Sequence, residues 1–337
     1  MSSRSIIPLD SALYGALRQA ATDRRCVFFA GLPGVGKSLL LQQLSVIAGE
    51  VGRRVHLLQW DVARGPFETP EILGCYPEVD GVTHAVIRKA AGLWAREAVG
   101  VWQRRHPDPR ELLIGEVPLI GNRLIELVQR RDDEVEALLA GEETMFLIPV
   151  PSREVRQVIE AARAREMASP SHERERANAV PGLVQALWEE IAAVARELGV
   201  ERTPSTLPWG PSIPTAPQPL RGANIGCADV PPPCEGEGEQ RPEGGKGKGE
   251  QPAASSDGVG AFDPEVYAGV YERLLRHRRA ARLDVTTALP VQASVYDAIE
   301  VASELMPTPT EVARVMAAVE VRPEAEVERE VAGWLRV

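Results

Sequence analysis

A three-layer α/β fold, with a mainly parallel sheet of about five strands flanked by helices and one disordered insertion, is what this sequence predicts. Three observations carry it. Short apolar runs alternate with segments of helical period over the first 200 residues, the pattern of βαβ units. The run "FFAGLPGVGKSLLLQQL" (28–44) passes from strand through a glycine turn into helix. Between residues 201 and 260 the chain carries 11 Pro and 11 Gly in 60 residues, too little apolar side chain to offset the entropy of ordering.

Taken in order, the strands are expected at "CVFFA" (26–30), "RVHLLQW" (54–60), "ELLIGE" (111–116) and "MFLIPV" (145–150). Helices are expected over 38–49, within 83–105, and over 121–139 and 152–167. Residues 1–200 form the core and 201–261 a Pro/Gly-rich linker. Residues 262–337 form a C-terminal helical segment that either completes the sheet with a fifth strand, "ARLDVTTALP", or stands as a separate helical unit. In that segment Asp263 is an N-cap and Pro264 a first helical residue, with Val266, Val270 and Leu274 on one face. Further helices are expected from about Thr310 and from Pro323.

Composition narrows the function. A net charge of −10 disfavours a surface built to neutralise nucleic-acid phosphates, so nucleic acid is an unlikely partner. No apolar run approaches the roughly 20 residues needed to cross a bilayer, so no membrane is expected. The four cysteines (Cys26, Cys75, Cys227, Cys234) include no CxxC pair, and no secretory leader precedes the first strand, which fits a reducing cytoplasm. His56 and His106 stand at no metal-ligand spacing, and no structural zinc is expected. Of 38 basic residues only four are lysines, which makes Lys37 the more informative.

Gly31, Gly36, Lys37 and Ser38 fill the pattern GxxxxGK[ST] between an apolar strand and a helix. Glycines let successive backbone N–H groups turn inward around an anion, and the helix adds its positive end. On these residues the chain resembles the P-loop NTPases, in layout closest to the nucleotide and small-molecule kinases. The resemblance implies a nucleotide-phosphate site from Gly31 through Leu32, Pro33, Gly34, Val35, Gly36, Lys37 and Ser38 to Leu39, with ATP and Mg as cofactors. Lys37 would reach the β and γ phosphates and Ser38 would coordinate magnesium.

Other positions decide which kind of P-loop protein this is. The acid that usually ends the magnesium-binding strand as Asp is absent; Glu116 stands at that end and either serves as the metal ligand or caps the next helix or faces solvent. No guanine-reading [NT]KxD motif and no LSGGQ signature occur, and "DGVG" (257–260) lies inside the linker. Asp61 and Arg64 match the DxxR arrangement that in similar kinases addresses the acceptor hydroxyl, the alternative being a turn or N-cap aspartate. Arg163 and Arg165, among the six arginines at 153, 156, 163, 165, 174 and 176, suit a cationic lid over the migrating phosphoryl group. The interleaved glutamates equally suit a solvated, ion-paired helix face. Some 50 residues separate the second and third strands, with Trp94 and Trp102 on a helical period and His84, Arg88 and Lys89 ahead of them; similar kinases hold the acceptor there, whereas tryptophans so spaced more often build core. Arg123 is expected at a helix start, to touch an acceptor anion or to lie at the surface. The expected activity is γ-phosphoryl transfer from ATP to an unidentified small acceptor. The alternative is an ATP-dependent switch or assembly ATPase acting on a protein partner.

Overall fold

The computed structural model describes residues 4–79, 81–168, 181–200, 262–290 and 301–334. The expected linker (201–261) lies outside the described residues, as do Arg174, Arg176 and the side chain of Arg163.

The strands are β1 (Cys26–Ala30), β2 (Arg54–Leu58), β3 (Glu111–Val117), β4 (Thr144–Pro151), β5 (Ala280–Val285) and β6 (Ser303–Glu304). They form one sheet in the order β5-β4-β1-β3-β2-β6, and every pairing is parallel. The expectation of about five strands is therefore short by one. β6 has only two residues, too few to carry a period-2 signal. "ARLDV" does form a strand, in register with β4 from Phe146↔Ala280 to Pro151↔Val285.

The helices are α1 (Ala12–Asp23), α2 (Lys37–Glu50), α3 (Trp60–Arg64), α4 (Pro70–Cys75), α5 (Ala85–Arg105), α6 (Glu136–Ala140), α7 (Arg153–Ala168), α8 (Pro181–Glu197), α9 (Pro264–Leu274), α10 (Pro309–Glu320) and α11 (Glu324–Gly333). Their starts follow side-chain chemistry. Asp263 accepts from the Glu265 and Val266 amides to open α9, and Thr308 with Glu311 forms a reciprocal capping box on α10. α1 and α2 cover one face of the sheet, packing Leu17, Leu40, Leu44 and Ile47 on Val27, Phe29 and Leu112. α5, α6 and α8 to α11 cover the other, around Phe28, Phe146, Trp94 and Tyr271. Buried on both faces, β1 reads as an unbroken apolar run. None of the described helices is long and apolar enough to cross a membrane.

Two elements depart from expectation. The helix expected over 121–139 is a loop, a 3-10 turn at Ile125–Leu127 and the short α6. Leu119, Asn122 and Leu124 take positive φ (61°, 56° and 55°), as does Gly121, and this left-handed run after Pro118 cannot join a right-handed helix. Asp133 then starts afresh, its carboxylate accepting from the Val135 and Glu136 amides. The strand expected over 54–60 stops at Leu58, because Trp60 already opens α3.

The chain leaves β1 through α2 to reach β2 on one side, then crosses back from β3 over β1 to β4. Connections diverge to opposite faces at the carboxyl end of β1, which is where open α/β sheets place their ligand crevice.

Candidate functional site

The segment from Gly31 to Gly36 is a tight turn between β1 and α2, with Gly34 at φ 79° and Gly36 at φ 90°. A side chain at either position would be strained. Leu32 and Val35 are fully buried and anchor the turn in the core, while Pro33 and Gly36 are half-buried. Lys37, the first residue of α2, is 8% exposed, and its Nζ donates to the Leu32 carbonyl at 2.8 Å, so the ammonium lies folded over the turn. Ser38 is half-buried beside it.

Gly31 has a reason of its own to be glycine. A Cβ there would lie 2.4 Å from the Tyr267 hydroxyl and 2.9 Å from Val35 Cγ2. Burial drives the Tyr267 phenol well above its ordinary pKa, offset in part by the Leu32 backbone and the charge of Arg156. α7 completes the surroundings of the turn, since Ile159 Cδ1 would sit 3.7 Å from a Cβ on Gly36.

Glu116 lies at the carboxyl end of β3, in register with Phe29. Its Oε1 accepts from the Trp60 amide at 3.2 Å, tying the end of β3 to the start of α3. Burial raises its pKa above the ordinary carboxylate value; the Lys37 charge opposes the rise and the Asp61 charge adds to it. Asp61 occupies the first turn of α3 rather than a strand end, a position that suits an acid. Its carboxylate is 60% exposed and pairs with Arg64 at 3.8 Å.

Around these acids the fold gathers cations. The Arg64 and Arg123 guanidiniums each lie 6.0 Å from the centroid of the buried Trp60 ring. Burial lowers the Arg123 pKa, and Asp61 works against that shift. The left-handed loop sets Arg123 here, and Arg88 braces that loop by donating to the Gly121 carbonyl at 2.7 Å. Arg123 thus comes from a loop, not from the expected helix start, and faces Asp61 and Glu116 electrostatically.

The lid arginines are placed unevenly. Arg153 pairs with Asp263 at 3.5 Å. Arg156 is buried, pairs with Glu160 at 2.7 Å and lies 5.4 Å from the Phe262 ring. Arg165 is exposed further along α7. The Arg156 charge reaches the tyrosine packed on Gly31.

Trp94 and Trp102 are both 3% exposed and belong to the core around α5. Lys89 is buried too, bridging Glu126 at 2.9 Å and Glu330 at 2.6 Å. Towards the amino end of β3, away from the turn after β1, the fold unites three residues with no sequence signature. His56 of β2, His106 after α5 and Glu111 of β3 each offer one ligand atom, all within 4.8 Å of one another. A second group, His84 with Glu324 and Glu328, lies nearer the surface. Comparison with protein-family models, with curated proteins and with solved structures finds no match for this chain.

Proposed function

We propose that this chain is a magnesium-dependent, ATP-binding protein of the P-loop type that transfers the γ-phosphoryl group to a small acceptor. One observation supports it above the rest: the GxxxxGK[ST] pattern folds as strand, tight turn and helix at the divergence point of a parallel sheet, with Lys37 and Glu116 acting on each other's charge at that point.

The donor set fits such a ligand. The Lys37 ammonium rests on a backbone carbonyl that phosphate oxygens would replace. Glu116 is a buried carboxylate whose ionised form a bound cation would favour. The half-buried Ser38 hydroxyl is engaged by no other side chain among the described residues. Bound Mg-ATP supplies the phosphoryl group and neutralises charge on its oxygens. The chain's own residues do the remainder. Lys37 would hold the terminal phosphates, Ser38 and Glu116 would hold the metal, and exposed Asp61 would take the proton of the acceptor's hydroxyl, with ADP as the leaving group. Arg64 and Arg123 orient an anionic acceptor beside Trp60. Arg165, exposed on α7, would serve as a lid cation.

A second reading, an ATP-dependent switch acting on a protein partner, draws on the Glu116 to Trp60 contact. Through this contact a change at Glu116 would bear on the start of α3. Incubation with γ-labelled ATP and a metabolite extract separates the two. Phosphoryl transfer labels a small molecule, and Asp61→Asn retains ATP affinity while turnover falls by about 10²-fold or more. Full turnover in Asp61→Asn removes Asp61 as the base. Absence of any labelled small molecule, with a protein retained only in the presence of ATP, selects the switch.

A further inference from the structure

Glu111 opens β3 and Glu116 lies five residues along it, about 17 Å away at strand rise, so the His56, His106 and Glu111 cluster is independent of the nucleotide site. We propose that these three side chains form a binding site for a zinc-class divalent ion, with one coordination position open toward the cleft between α5 and the start of α10.

The geometry suits a three-residue metal site. His56 Nε2 lies 2.7 Å from Glu111 Oε2, and the two imidazole centroids are 4.3 Å apart. Metal–ligand bonds of about 2.0–2.2 Å at tetrahedral angles require ligand atoms about 3.3 Å apart. Distances bounded by 4.8 Å reach that arrangement with a small movement of His106, the half-buried member. Two imidazole nitrogens and one carboxylate oxygen form the borderline donor set that zinc takes.

Neighbouring groups aim the ligands. Ser303 Oγ lies 2.7 Å from His56 Nδ1, which leaves Nε2 directed at Glu111. Arg54 holds Oε1 of Glu111, leaving Oε2 for the histidines. Such outer contacts fix ring orientation in metal sites.

The open position follows from the lining of the cleft. His106 and Ser303 both border a cavity of about 230 Å³, together with Trp102, Arg105, Glu304 and Glu311. The buried Trp102 Nε1 has no hydrogen-bond partner among the described residues. The Trp102 ring lies 5.8 Å from the His56 ring and 5.9 Å from the His106 ring, centroid to centroid, and its N–H would be available to donate to a water or small oxygen ligand in the fourth position.

The test titrates Co2+ and Zn2+ into the chelator-treated full chain, with excess Mg2+ and no nucleotide, in a Cys227→Ser, Cys234→Ser background that removes the linker thiols. One equivalent should bind, with Co2+ visible bands of a four- or five-coordinate nitrogen and oxygen site. His106→Ala should lose at least about 10-fold in affinity and Ser303→Ala about 10-fold, each at an unchanged urea midpoint of the metal-free chain. Absence of stoichiometric binding, or affinity unchanged in His106→Ala, overturns the site. Neither outcome bears on the proposed ATP binding, which rests on Lys37 beyond the carboxyl end of β1.

Discussion

Gly31 and Gly36 belong to one short pattern yet need to be glycine for different reasons. At Gly36 the backbone is left-handed (φ 90°), whereas at Gly31 the Tyr267 hydroxyl occupies the space of a Cβ. Gly31→Ala should therefore destabilise by about 1–3 kcal/mol, as overpacking does, and the cost should shrink in a Tyr267→Phe background. Equal costs in both backgrounds, read from urea unfolding, would contradict the contact. Glu116 gives a prediction with a sign. Its folded pKa is raised, so its burial costs nothing below the unfolded value near 4.5 and the full amount once pH has climbed past the folded value. Nucleotide-free Glu116→Gln should gain stability over the parent as pH rises through that window, and a pH series of denaturation midpoints measures the difference. Lys37 and Ser38 were legible in the sequence because their pattern is contiguous. His56, His106 and Glu111 were not, since only tertiary structure joins a mid-strand residue to one 50 positions later.

Elements were legible where caps and period agree. Asp263 and Pro264 announce α9, and its inward residues follow at helical spacing, with Tyr267 and Tyr271 joining Val270 and Leu274 in the core. The failure at 121–139 has a local cause: Pro118, Gly121 and Asn122 are turn residues, and the apolar run after them is buried by tertiary contacts rather than by helical periodicity. α5 shows a dependence that no local pattern reveals. Gly92 leaves room for the Glu126 carboxylate, whose Oε2 would lie 1.7 Å from a Cβ there, and that carboxylate pairs with buried Lys89. Gly92→Ala should displace Glu126 and cost about 3–5 kcal/mol, the penalty for breaking a buried ion pair. A loss below about 1 kcal/mol in denaturant unfolding would show that the pair can move aside.

At the scale of the whole molecule, the residues after the linker furnish both edges of the sheet, β5 beside β4 and β6 beside β2. The choice left open by the sequence, between a completed sheet and a separate helical unit, is thereby resolved, although length priors and a two-residue strand could not signal it. A chain cut at a protease site engineered into 201–261 should remain one species on gel filtration under native conditions, because separation would strip both flanks from the sheet. Elution as two independent fragments would contradict that architecture. Parallel order was legible from the alternation of strand and helix, and it is this order that brings the turn after β1 beside Glu116. The most direct test of the account is therefore calorimetric titration of Mg-ATP into the intact chain and into Lys37→Ala at matched stability. The account predicts one site per chain, weakened about 100-fold by the substitution, as expected for loss of a charge-assisted contact. A folded parent protein that binds no nucleotide, or equal affinity in the two, would contradict it.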